Sequence, residues 1–512
     1  MPRRHRALFL LPALLASGCA DQPLQPDADV RPDLAAVASC GQRTNITASS
    51  LLQCVTLERV RMHQAELQAI ADENGGMRVA GSAGYDASVA YVREQLEGAG
   101  YAVTTQEFSF ATTFSRTPSI LAQVSPPANP IAHSVLAYSG SGDHTASATV
   151  PNVATGCVAA DWAGFPAGNI ALVERGGSTN TFTCTFALKA ANAHAAGARA
   201  VVIYNNTATD VAWTLGADFT LDIPVVGVTQ SSGQQLVATP GLELRVRTDV
   251  FRGMATASNV LAETSTGNAD NVVVVGAHLD GVAAGPGIND NGSGVGAVLE
   301  TAIQMARVKP VNRVRFAFWG AEESGLIGSE YYVDNLAVQQ RNQIALYLNF
   351  DVLGSPNHGF FIFDGDNSDG AGTGPGPAGS DQIEAVFEEY FDRLGRPHRG
   401  TPFNGRSDYA AFLGAGIPTG GLFSGAEELK TAEEAALWGG TAGQPFDPCF
   451  HQACDTYDNV NLDALDINAD AVAYATLTFA LSTERVNGVR GRGSRGSPTV
   501  STTPTTEALA TY

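Results

Sequence analysis

Apolar and polar positions follow two different periods along this chain of 512 residues, and the changes of period divide it. From Leu57 to Ile70 and again from Ala87 to Leu96 the apolar residues recur at helical spacing. Gly98 and Gly100 close the second pattern, and Tyr101 to Phe110 reads as a strand. After Phe110 the texture shifts to Pro, Ser, Ala and Thr, with short β-like runs through about residue 250. Within it "GNIALVERGG" (168–177), "ALKAANAHAAGARAVVIYNN" (187–206) and "DIPVVGVTQSSGQQL" (222–236) predict strand, helix-strand and strand-helix units around a small core of their own. From about residue 258 strands and helices alternate: Asn271 to Ala277, Gly294 to Ala306, Arg313 to Trp319, Gly325 to Asn335, Ile344 to Phe350, Gly359 to Phe363, Gln382 to Leu394, Ile417 to Phe423 and Ala469 to Leu481. That alternation predicts an α/β fold, with a mixed, largely parallel central sheet flanked by helices. Loops at the carboxyl ends of its strands are then the place for a site. No internal repeat is visible.

The termini and the charge set the compartment. Met1 to Cys19 has a basic start, the apolar run Ala7 to Ala16 and then small residues, which is the form of an export signal. The run is too short to stay in a bilayer as a span. Its ending, Leu-Ala-Ser-Gly-Cys, resembles a bacterial lipobox with Ala16 where Leu is commoner. Cys19 is therefore the candidate for lipidation, with an ordinary cleaved signal peptide (1–18) as the alternative. Residues 19–39, with Pro23, Pro26 and Pro32, read as a disordered tether, and 484–512 as a disordered tail, basic at first and then rich in Ser, Thr and Pro. Acidic residues exceed basic ones by 21, which argues against a nucleic-acid partner. The remaining six cysteines fall into three local pairs, Cys40 with Cys54, Cys157 with Cys184 and Cys449 with Cys454, which an oxidising compartment would close. These features point to an exported protein, a cell-envelope lipoprotein or a secreted one, with no other membrane association.

Chemistry concentrates in the last part of the chain. The valine run Val272 to Val275 leads directly into His278 and Asp280, then into a glycine-rich loop that presents Asp290. "FAFWGAEESGLIGSE" delivers Glu322 and Glu323, "LYLNFDVLGSPN" delivers Asp351, and "DPCFHQACDT" delivers His451 between two cysteines. Converging carboxylates repel one another and resist desolvation, so such a cluster calls for cations. Two imidazoles and three carboxylates suit zinc, with one carboxylate bridging two ions and a water between them made acidic. Glu322 is left over beside a ligand and suits a general base. Asp280 suits support of His278, accepting the other imidazole N–H. His63, His194 and His398 lie outside any such cluster and read as surface or capped histidines. Asp455 and Tyr457 follow His451 closely, and turn packing explains them as well as a role at the site would.

Those segments carry a family resemblance. His278-Leu-Asp280, Gly287 to Gly294, Ala321-Glu322-Glu323-Ser-Gly, Asn349-Phe-Asp351 and Cys449-Phe-His451-Gln-Ala-Cys454-Asp, five motifs in order, resemble the M28 zinc aminopeptidases, closest to their secreted bacterial leucyl-type branch. The middle stretch resembles a protease-associated (PA) domain, with Cys157 and Cys184 placed like a disulfide of that module. The resemblance implies a zinc-peptidase (phosphorylase/hydrolase-like) domain over 40–118 and 251–483, with a small β-rich α+β PA domain inserted at 119–250. It implies two zinc ions per chain: His278 and Asp351 on one, Glu323 and His451 on the other, Asp290 bridging, and a cis peptide between Asp290 and Asn291. The activity it implies is release of N-terminal residues, bulky apolar ones preferred, from peptides by a zinc-bridged hydroxide with Glu322 as base. Arg406 and Glu322 match positions that help hold the substrate's amine, and Phe423 matches a wall of the specificity pocket.

Two departures stand out. Phe450 occupies a position where close relatives carry a tyrosine whose hydroxyl helps stabilise the tetrahedral intermediate. Asp466 and Asp470 match two acids of a calcium site in relatives, but Cys54 replaces the third, so calcium is not expected with assurance. The rival readings are a family member with another substrate, of carboxypeptidase or one-zinc glutaminyl cyclase type, and a peptide-binding protein without catalysis. A basic pocket would favour the carboxypeptidase, and missing ligands would favour the binding protein.

Overall fold

In the computed structural model of the chain, residues 40, 42–125, 129–208 and 213–489 are described. The expected signal peptide, Cys19, the tether and residues 490–512 of the tail lie outside the described residues. Residues 1–43 form one unit and the chain from Thr44 onward another, and all that follows concerns the second unless stated otherwise.

Among the described residues sixteen strands, numbered in chain order, make two eight-stranded sheets. The first sheet has the spatial order β1 (Ala102–Ser115), β10 (Val250–Glu263), β12 (Asn312–Trp319), β11 (Asn268–His278), β13 (Ile344–Phe350), β16 (Thr419–Phe423), β14 (Phe361–Phe363), β15 (Arg399–Thr401). β12, β11, β13 and β16 run parallel, while β1, β10 and β14 join antiparallel, giving the mixed sheet with a parallel centre that the alternation predicts. The valine run of β11 is explained by its central place. Val273 and Val275 pack with the helices Gly292–Met305 and Leu462–Leu481 on one face. Val272 and Val274 meet Tyr332, Tyr347 and Phe412 on the other. Alternate side chains of a strand point to opposite faces, so a strand covered on both sides reads as continuously apolar.

The second sheet takes β3 (Asn129–Pro130), β2 (Ile120–Ser125), β9 (Glu243–Thr248), β5 (Gly142–Thr149), β6 (Ile170–Glu174), β7 (Ala200–Tyr204), β8 (Val225–Val228) and β4 (Ser134–Val135). It has its own core, in which Val201, Ile203 and Val225 pack on one face and Leu172, Val202 and Val226 on the other. The connection between the sheets is a ribbon. β1 and β10 pair antiparallel without interruption from Ala102↔Glu263 to Ser115↔Val250, so the chain leaves the first sheet along one strand and returns along its neighbour. The sequence pattern shows only the first part of β1 and does not reveal β10. Gly253 and an exposed face with Met254 break the apolar alternation there.

Other boundaries also move. The helix Leu462–Leu481 starts ahead of the expected Ala469, because the Asn461 side chain accepts from the Ala464 amide and caps it. Residues 484–489, assigned to the tail by composition, are structured: Val486 packs into the main core and Arg485 pairs with Glu389 at 2.7 Å. Two cysteine pairs close as expected, Cys157–Cys184 and Cys449–Cys454, and Cys40 and Cys54 are both in the disulfide form. Among the described residues no helix is long and apolar enough to cross a membrane.

Because Ser115 and Val250 are directly paired, a two-residue turn joining them should close the ribbon without changing the first sheet. A chain so shortened is expected to fold cooperatively, as followed by circular dichroism during thermal unfolding. Loss of cooperative unfolding would show that the two sheets depend on each other.

Candidate metal centre and substrate pocket

The parallel centre of the first sheet brings the chemistry to one edge. His278 is the last residue of β11, Glu322 and Glu323 follow β12, Asp351 follows β13, and Phe423 ends β16. Asp290 comes from the loop ahead of the helix Gly292–Met305, whose cap residue Asn291 accepts from the Gly294 amide at 3.0 Å. The Asp290–Asn291 peptide is cis. Gly287 in this loop has φ 67°, and a Cβ there would lie 2.6 Å from the Asp290 carbonyl oxygen, so only glycine fits. Arg78, fully buried, donates to the carbonyls of Leu279, Pro286 and Gly287 at 2.5 to 2.8 Å and holds both ends of the loop.

The side chains fall into two sets that share one carboxylate. His278 Nε2 lies 3.0 Å from Asp351 Oδ1 and 3.2 Å from Asp290 Oδ1. His451 Nε2 lies 3.0 Å from Asp290 Oδ2 and 3.1 Å from Glu323 Oε2. Ligands about 2.0–2.1 Å from a tetrahedral ion stand about 3.3 Å apart, so both sets have the spacing of a cation site. Glu323 Oε1 is buried without a hydrogen-bond partner, an orphaned acceptor that a cation would satisfy. The residues present therefore fit a pair of metal ions.

Neighbouring groups hold these side chains in place. His278 Nδ1 faces the Asp280 carbonyl oxygen at 3.1 Å, which leaves Nε2 for the centre. The expected support from the Asp280 carboxylate is different in kind. That carboxylate stands 3.8 Å from Nδ1 and instead accepts from the amides of Glu322 and Glu323, so it orients both glutamates. Ser407 donates to Asp351 Oδ2 at 2.6 Å and accepts from Asn349. Phe450 stacks on the His451 ring at 3.9 Å. Sequence reasoning left Arg78, Ser407 and Asp455 unassigned. Asp455, beside Cys454, is the one among them with a local signal, since a buried acid next to a disulfide needs a partner. His63, read as surface or capped, is buried and capped, between Tyr91 and Glu300.

A cavity of about 310 Å³ opens beside the centre. Phe363, Pro402, Tyr409 and Phe423 supply an apolar wall, while Arg406 and Glu428 stand in its lining as well. Arg406 pairs with Glu427 at 2.7 Å and with Glu428 at 3.5 Å. A guanidinium repels an ammonium, so toward a substrate amine Arg406 contributes the carboxylates it holds. Asp466 and Asp470 lie on the helix Leu462–Leu481, where burial and the neighbouring Asp466 raise the Asp470 carboxyl to about 7.

Crowding sets the electrostatics of the ion-free centre. Burial pushes the Glu322 carboxyl well above its usual range, and Asp351 and Glu323 add to the push against His278. Burial and Asp290 raise Glu323 to about 7. Burial would raise Asp290 too, but the two imidazoles prevail and hold it low. Burial opposes charge on His451, yet Asp290 and Glu323 outweigh it and raise the imidazole from 6.5 to about 10. Protons thus take the place of cations. Since the folded value of His451 lies above the unfolded one, its stabilisation is complete below pH 6.5 and fades as pH rises through about 10. The chelated protein is therefore expected to lose stability over that range, and thermal unfolding at stepped pH checks it. Restoring zinc should flatten the dependence.

An eight-stranded α/β sheet with acids and imidazoles gathered at the carboxyl edge of its parallel strands defines a metallopeptidase-like enzyme class. Comparisons with known proteins agree. The model of peptidase family M28 matches residues 259–476, and that of the PA domain matches residues 145–236. The chain is 46% identical over 461 residues to an aminopeptidase of Pseudomonas aeruginosa, covering 86% of this chain and 84% of that one. It is 43% identical over 498 residues to the "Probable lipoprotein aminopeptidase LpqL" of Mycobacterium tuberculosis, covering 94% and 95%. Among solved structures, the aminopeptidase from Aneurinibacillus sp. strain AM-1 superposes with a TM-score of 0.55 at 26% identity, covering 84% of this chain and 95% of that chain. The chain belongs to peptidase family M28, with a PA domain in its second sheet.

Proposed function

We propose that the protein is an exported two-zinc aminopeptidase that removes single, preferably bulky apolar, residues from the N-termini of peptides. The observation that carries this reading is the shared carboxylate: each oxygen of Asp290 faces a different histidine, and each histidine faces a further carboxylate. His278 and Asp351 would hold one zinc, Glu323 and His451 the other, and Asp290 both. Bound there, zinc would acidify a water and polarise the scissile carbonyl. Glu322, buried in the pocket lining, takes the proton of the attacking water and delivers it to the leaving nitrogen. The apolar wall with Phe423 receives the first side chain, and the acidic surroundings of Glu322, Glu427 and Glu428 suit the free amine.

The other readings have less support. Among the residues lining the pocket Arg406 is the only arginine or lysine, and two glutamates occupy it, which disfavours a carboxypeptidase. All five ligand positions and the base are filled, which disfavours a binding protein without catalysis. Domains over 40–118 with 251–489 and over 119–250, the second limiting access of large substrates, complete the proposal. A lipid anchor on Cys19 would place it on the cell envelope, as the name of the mycobacterial relative suggests for that protein.

Hydrolysis of leucine p-nitroanilide tests the reading. Glu322→Ala should lower kcat by about 10²–10⁴ while zinc content stays unchanged, since the base is not a ligand. Zinc lost along with activity would instead make Glu322 a ligand. Phe450→Tyr should raise kcat by up to about 10², because one oxyanion donor accounts for about 10²–10³ in such reactions. An unchanged kcat in that variant would mean that another donor already serves.

A further inference from the structure

The loop with Asp290 and the loop with His451 meet at one residue outside the pocket lining. Three successive backbone amides end on Asp455: that of Ile288 donates to its carbonyl at 3.2 Å, that of Asn289 to Oδ1 at 2.8 Å and that of Asp290 to Oδ2 at 3.0 Å. Asp455 is 2% exposed and directly follows the loop closed by Cys449 and Cys454, in which His451 sits at φ 56°. Its own amide donates to the Gln452 carbonyl at 3.1 Å, which ties it to that loop from within.

A second buried carboxylate backs the first. Asp447 accepts from the Asn289 side chain at 2.6 Å and from the Cys449 amide at 2.8 Å, so it too spans both loops. Asn459 joins the two acids, donating to Asp447 at 3.0 Å and to Asp455 at 3.5 Å. Burying two carboxylates beside the buried Asp290 is costly, and turn packing alone gives no reason for it. An acceptor on both oxygens does give one, because an asparagine in place of Asp455 would confront one of the amides with its own N–H groups.

The two metal sets differ in what supports them. His278 ends β11 within its ladder to β12, and Asp351 directly follows β13, whose last residue Phe350 pairs with Leu422. Asp290 and His451 stand on loops. We propose that Asp455 is a positioning residue that fixes Asp290 relative to His451, and thereby sets the zinc affinity of the half formed by His451, Glu323 and Asp290 more strongly than that of the half formed by His278, Asp351 and Asp290. This rests on the two-zinc reading. Removal of such outer partners typically lowers metal affinity about 10–100-fold.

The test is titration of the metal-free full chain with zinc against a chelating indicator, for the unaltered protein, Asp455→Asn and Asp447→Asn, with circular dichroism of each. The unaltered protein should take up two equivalents. In Asp455→Asn one equivalent should weaken by about 10–100-fold and the other by clearly less, and excess zinc should restore leucine p-nitroanilide hydrolysis. Asp447→Asn, which leaves the three amides in place, should weaken the same equivalent by less. Two unchanged affinities in folded Asp455→Asn, or an equal loss in both, would overturn the proposal. Should Asp455→Asn not fold, Asp447→Asn decides, and unchanged affinities there overturn it. Uptake of fewer than two equivalents by the unaltered protein would remove the two-zinc reading and the proposal with it.

Discussion

The single carboxylate of Asp290, 3.2 Å from one imidazole and 3.0 Å from another, is the contact on which the site depends. Its two oxygens make the two ligand sets into one centre, and a small tilt would open one set while crowding the other. Carboxylates held this close out of water repel one another, so the fold must prevent them from turning away. The β11–β12 ladder does this for His278, the Ser407 hydroxyl does it for Asp351, and the Asp280 carboxylate does it for both glutamates through their amides. Asp290 has no strand to stand on. Its loop is held by Arg78 through carbonyls and by Asp455 through amides, so each polar face of the loop backbone meets a charge of the opposite sign.

Much of this was legible in the sequence because it follows short-range rules. The run Val272 to Val275 reads as a strand buried on both faces, and the polar residues that follow it fall at the carboxyl edge, where parallel sheets place their sites. His278, Glu322, Glu323 and Asp351 stand out in that way, while Asp290 and His451 come from loops. What stayed hidden acts over distance or against the pattern. β10 carries an exposed face and a glycine, so periodicity does not mark it. The reach of Arg78 and the three amides on Asp455 are decided by tertiary packing. The spacing places Asp280 beside His278 but does not show that its carboxylate also holds the amides of Glu322 and Glu323, since spacing tells which residues are near and not which oxygen faces which donor.

The second sheet is attached with equal economy. Phe114 and Phe251, stacked at 5.0 Å near the outer end of the ribbon, pack with Met77, Val79 and Ala283, and Ala283 belongs to the loop between His278 and Asp290. The outer end of the ribbon that leads to the second sheet therefore rests on the same loop that presents the shared carboxylate. Arg406, in the lining of the pocket, pairs instead with Glu427 and Glu428.

The contacts of Arg78 have a consequence for how the molecule comes into being. They join positions 201 to 209 residues apart in the chain, and closing so long a loop is slow compared with forming a helix or a strand. Until the early helices have docked against the late sheet, the guanidinium is elsewhere and the loop with Asp290 is slack. A chain in which that docking has not occurred has the residues of the centre without their arrangement, so closure of the long loops and assembly of the centre are one event.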